Sequence, residues 1–166
     1  MRVMDGLMAI PGILLAIALM AVTRASVVTV VVAITVPEIP RVVRLVRSLA
    51  LTLREQLFVE AAHAVGTRLP TVLRRHVLPN SLTPVVTFLP FRMSAAILAL
   101  TSLDFLGLGV PPSTPSLGEL LAQGKNNVQA PWLGLTGFVV LATMLSLLIF
   151  MGEAVRDAFD PKKIGV

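Results

Sequence analysis

The chain has 166 residues, 55% of them hydrophobic and 14% charged, with a mean hydropathy of +0.87, which is more apolar surface than a soluble domain of this size can hide. With no cysteine there is neither a disulfide framework nor a cysteine metal site, and His63 and His76 are too few for a metal cluster. The net charge of +5 raises nucleic-acid binding, but the arginines gather between two apolar segments and neither Tyr, which is absent, nor the one Trp, Trp132, interleaves with them, a pattern that suits a cytoplasmic membrane loop instead.

The expected fold is an all-α membrane protein with about four transmembrane helices, since about 20 apolar residues cross roughly 30 Å of hydrocarbon. The first span is residues 5–22, preceded by Arg2 and bent at Pro11-Gly12. A signal peptide is the competing reading, opposed by Asp5 in its charged region and by the poor cleavage site Thr23-Arg24-Ala25. The second span, residues 27–46, needs a kinked helix running through Pro37-Glu38-Ile39-Pro40 and lined by protein or water. A re-entrant or buried segment is its alternative.

Residues 47–80 form a helical cytoplasmic loop. Leu57, Phe58, Ala61, Ala62 and Val65 are expected to share one face of a short helix. Small Ala61 and Ala62 let another surface come close, and Glu55 and Glu60 place anionic groups near the N-terminal half. Gly66 suits a helix end that needs positive φ. A second helix starts at Leu69-Pro70, with Val72, Leu73 and Val77 packing back, and Pro79 precedes the next span. By periodicity alone, an amphipathic helix lying on lipid, its arginines on anionic headgroups, is an equal reading.

The third span is residues 82–103, bent by Pro84 and Pro90. Arg92 lies about 18 Å of helical rise beyond Asn80, near mid-bilayer. A guanidinium there costs roughly 2.5–3.5 kcal/mol on insertion scales and keeps its proton, so it must face protein or water. Pairing with Glu38 or with carbonyls freed by the prolines is one reading; a place beside Glu38 on a translocation path, meeting anionic cargo, is the other. Residues 106–131 are a Gly- and Pro-rich periplasmic loop, in which Ser116-Leu117-Gly118-Glu119 fits a capping box opening a helix from Leu117 to about Lys125. Residues 132–152 are the fourth span, anchored by Trp132. The charges set the orientation. Arg2, the arginine loop from Arg41 to Asn80, Arg156, Lys162 and Lys163 fall on one side, with Arg24 and Lys125 opposite, so both termini are expected in the cytoplasm.

Glu60-Ala61-Ala62, then Gly66, then nine residues, then His76-Val77-Leu78-Pro79-Asn80 resembles the coupling loop of ABC-transporter permeases. His76 departs from the isoleucine of the general pattern and points to the dipeptide, oligopeptide and nickel branch. Met8-Ala9-Ile10-Pro11, Phe105-Leu106-Gly107-Leu108-Gly109 and Arg156-Asp157-Ala158-Phe159-Asp160-Pro161 extend the resemblance. Ser102-Leu103-Asp104, Thr114-Pro115-Ser116-Leu117-Gly118-Glu119 and Gln123-Gly124-Lys125-Asn126-Asn127 are similar to the second, C-type permease subunit of oligopeptide and microcin C importers.

The resemblance implies a permease subunit in the bacterial inner membrane that moves oligopeptides or a microcin C-like peptide. It implies a second permease subunit, two ATPase subunits and a periplasmic binding protein as partners. Glu60, Ala61, Ala62, Gly66, His76, Leu78 and Pro79 would couple the chain to the ATPase. No cofactor is expected on this chain, with ATP and magnesium held by the ATPase subunits. The sequence has no P-loop and no catalytic cluster, so an enzyme is not expected. Family members carry further spans before the region matching Asp5, so the chain reads as N-terminally truncated. A remnant or a structural or regulatory membrane protein with no transport of its own is the alternative.

Overall fold

The computed structural model describes residues 2–111 and 113–159. Among them the chain is helical throughout: α1 (Arg2–Met8), α2 (Gly12–Val22), α3 (Val27–Arg54), α4 (Leu57–Ala64), α5 (Leu69–Val72), a π-helical turn (Leu73–Val77), α6 (Leu78–Phe105), α7 (Leu117–Asn126) and α8 (Pro131–Ala158). Lys162, Lys163 and the Asp160-Pro161 pair lie outside the described residues.

Proline decides several boundaries. At Pro11 the first expected span breaks into α1 and α2 rather than bending, because Pro11 has no N–H to continue the ladder. Pro37 and Pro40 act differently. Both are buried inside α3, which runs on to Arg54 instead of stopping near Val46. The first residues of the expected loop are therefore the last turns of this helix, and Glu55 ends α3 instead of opening α4. The helix from Leu69 continues to Phe105 across Pro79. Leu78 N–H reaches back to Leu73 O, five residues away, and this wider turn makes room where the Pro79 ring meets the preceding turn.

Serine caps open two helices. Ser26 accepts from Thr29 N–H at 3.1 Å. Ser116 accepts from Glu119 N–H at 3.1 Å, while the Glu119 carboxylate takes Gln123 Nε2 at 2.9 Å. The helix these residues start ends at Asn126.

By length and composition, Leu69–Phe105 and Pro131–Ala158 are apolar enough to cross a membrane among the described residues. The 11 residues of α2 rise only about 16 Å, and α3 is long enough but carries Glu38, Arg41, Arg44 and Arg47. Among the described residues two clusters hold the fold. Ala16, Met20, Val30, Ala33 and Leu103 pack with Leu108 and Val110 beside them, which brings the ends of α2 and α6 and the start of α3 together. At the other end Arg44 Nη2 meets Asp5 Oδ1 at 2.7 Å. The second cluster is Val59, Ala62, Val72 and Val77.

Asp104 is buried and accepts from Val110 N–H at 2.9 Å, pinning the chain that leaves α6. Gly118 seats α7 against it: a Cβ there would lie 2.4 Å from Asp104 Cβ and 2.5 Å from Thr101 O. Gly118→Ala is expected to cost about 1–3 kcal/mol through overpacking, lowering the thermal midpoint of the detergent-purified protein. Gly6→Ala, where a Cβ meets nothing within 4 Å, is the control. Equal midpoints for the two variants would remove the close-approach argument.

Candidate coupling surface and ion cluster

The segment from α4 to the π turn is a packed hairpin. Val59 and Ala62, three residues apart on α4, turn inward onto Val72 and Val77, with Ala50 and Leu53 of α3 behind them. That spacing puts one face of a helix into the core and leaves the other outside. Leu57, Phe58 and Val65 are exposed, Leu57 and Val65 by more than 80%, and Ala61 and Glu60 lie on the surface with them. The expected apolar face therefore exists as an outward one, and Ala62 does not belong to it. Its small side chain belongs to the hairpin core. Leu73, expected to pack back, is 49% exposed.

Gly66 ends this helix with φ +78, and its N–H donates to His63 O at 2.9 Å. The left-handed residue lets Thr67 N–H return to Ala62 O at 3.1 Å, closing a Schellman-type end. His76 sits half-buried in the π turn, its ring 6.4 Å from that of Phe58, and its carbonyl accepts from Asn80 Nδ2 at 2.6 Å. Leu78 and Pro79 are exposed on the first turn of α6. The structure thus joins Glu60, Ala61 and Gly66 on one exposed element and ties His76 to it through Phe58.

A second constellation lies along α3 and α6. Glu38 uses both carboxylate oxygens: Oε2 accepts from Arg92 Nη1 at 2.9 Å and Oε1 accepts from Arg41 Nη1. The Arg92–Glu38 pairing is the one anticipated from sequence. Arg41 was missed as a member, having been counted among the loop arginines. Its position three residues after Glu38 was the available signal, since such pairs share a helix face. Glu38 stands about 16 Å of rise from the start of α3 and Arg92 about 20 Å from the end of α6, so both sit at similar depth. Their side chains are 29% and 43% exposed and Arg41 is 44% exposed. Beside them a cavity of about 130 Å³ is lined by Gly12, Ala16, Pro37, Glu38, Arg41 and Ala96, among others.

Residues 1–165 match the family described as the binding-protein-dependent transport system inner membrane component. The chain belongs to this family. It is 60% identical over 118 residues to the peptidoglycan transport system permease protein YejE of Agrobacterium fabrum, covering 71% of this chain and 31% of that protein. It is 57% identical over 118 residues to the inner membrane ABC transporter permease protein YejE of Escherichia coli, covering 71% and 35%. Its identity to the glutathione transport system permease protein GsiD of Shigella dysenteriae is 42% over 165 residues, covering 98% and 54%. The chain spans about a third to a half of the length of these relatives.

Proposed function

We propose that the chain is membrane-embedded permease sequence of an ATP-driven importer, moving a peptide cargo inward across the bacterial inner membrane. The observation that carries this is the exposed Leu57–Ala61–Val65 face with Glu60, ended by left-handed Gly66 and held on a packed hairpin. Exposed apolar side chains rimmed by charge suit a protein interface, and a firmly packed base transmits force better than a loose loop. In this reading an ATPase subunit binds the α4 face. ATP and magnesium belong to that subunit, and a second permease chain and a periplasmic binding protein complete the transporter. Glu38 and Arg92 lie on the translocation path.

Peptide cargo is favoured by the names of the relatives, since glutathione is a tripeptide and peptidoglycan carries short peptides. The sequence patterns that resemble the C-type subunit favour oligopeptides or a microcin C-like peptide within that class.

The topology is four spans with both termini and the α4 hairpin in the cytoplasm. The placement of charge favours this orientation: Arg24 stands at the end of the bundle where Leu108 and Val110 pack, and Arg44 and the hairpin stand at the other. The chain lacks cysteine, so single cysteines report cleanly. In intact spheroplasts Thr67→Cys is expected to resist an impermeant thiol reagent and Gln123→Cys to react. The reverse labelling pattern overturns the orientation. Copurification of an ATPase subunit with the full-length permease tests the docking role, and its absence favours a remnant or structural protein.

A further inference from the structure

We infer that Arg41 makes the Glu38 cluster selective for cargo carrying a carboxylate; this rests on the permease reading and on the placement of Glu38 and Arg92 along its path. The cluster holds one carboxylate and two guanidiniums, a net charge of one positive unit. In a low-dielectric setting that excess charge attracts one anionic group.

The two oxygens of Glu38 are divided between the arginines, Oε1 to Arg41 and Oε2 to Arg92. A cargo carboxylate can therefore take Arg92 while Glu38 stays on Arg41. Each guanidinium then keeps an anion and the cluster becomes neutral. Without Arg41, releasing Arg92 leaves Glu38 with no cationic partner, and the cluster begins neutral, with no excess charge to draw the cargo. Arg41 is thus a specificity-determining residue, although Arg92 makes the contact.

The position of Arg41 supports this role. It lines the cavity with Glu38, and a Cβ placed on Gly12 would come within 3.6 Å of Arg41 Nη2. The guanidinium therefore lies beside the start of α2 while it pairs with Glu38 on its own helix. The cavity of about 130 Å³ has room for water that keeps Glu38 solvated while Arg92 is engaged.

The test uses the complete transporter, with its binding protein, in proteoliposomes. Uptake of a short peptide with a free C-terminal carboxylate is compared with uptake of the same peptide as its C-terminal amide. The binding protein is identical in every sample, so a change in the free-acid to amide ratio reports the membrane site. Arg41→Gln is expected to lower that ratio about tenfold, the scale of one charged hydrogen bond, and Arg41→Lys to keep it near the wild-type value. An unchanged ratio in Arg41→Gln overturns the inference, and so does equal loss in Arg41→Gln and Arg41→Lys. If Arg41→Gln does not assemble, the wild-type ratio decides: no preference for the free acid overturns it. Failure of the wild-type complex to take up either peptide with ATP instead removes the permease reading itself.

Discussion

Gly66→Val in the full-length permease is expected to cut transport and cargo-stimulated ATP hydrolysis by about tenfold while leaving its amount in the membrane unchanged. The reason is conformational. Gly66 has φ +78 and a Cβ there would meet nothing within 4 Å, so the substitution is not a clash. A β-branched residue held in left-handed backbone costs roughly 1–3 kcal/mol, and the strain falls on the turn that ends α4 rather than on a span. Asparagine tolerates this region far better than valine, so Gly66→Asn should keep most of the activity. Equal activity of the valine and asparagine variants, at wild-type level, would show that the left-handed turn does not serve coupling.

Glu38→Gln is expected to reduce the quantity of permease in the membrane more than Arg92→Gln does. Removing Arg92 leaves Glu38 paired with Arg41, a neutral pair. Removing the Glu38 charge leaves two guanidiniums without an anion, each costing roughly 2.5–3.5 kcal/mol at mid-bilayer on insertion scales. Partial exposure of all three side chains lowers the real penalty where water reaches them. The double variant Glu38→Gln/Arg92→Gln should recover part of the loss, having one stranded charge instead of two. Quantitative immunoblotting of isolated membranes gives the order, and a greater loss in Arg92→Gln would overturn the shared-carboxylate account.

The helical class and the hairpin were legible because their signals are local. The capping residue Ser116, the glycine at 66 and the apolar length of residues 131–158 each act within a turn or along one helix. The pairing of Arg92 with Glu38 was legible from the cost of an isolated charge. What sequence concealed depended on tertiary context. Pro11 breaks a helix whereas Pro37 and Pro40 do not, and the latter are buried inside α3. Pro79 passes without a break because a single π turn absorbs it. The inward side of α4 was misjudged because Ala62 and Ala61 are chemically alike, and only the positions of Val72 and Val77 decide which of them is enclosed.

The unbroken helix from Leu69 to Phe105 makes a lever. Leu69 and Arg92 are separated by about 35 Å of helical rise, so a tilt of about 5° pivoting at the hairpin swings the arginine by ~3 Å. That travel is comparable to the whole 2.9 Å contact between Arg92 and Glu38. A small rocking of the hairpin by whatever grips it is therefore enough to open or close the ion contact far along the helix, with no helix needing to unfold. The π turn at Leu73–Val77 and the prolines at 84 and 90 lie along this arm, and its stiffness there sets how much of the stroke arrives.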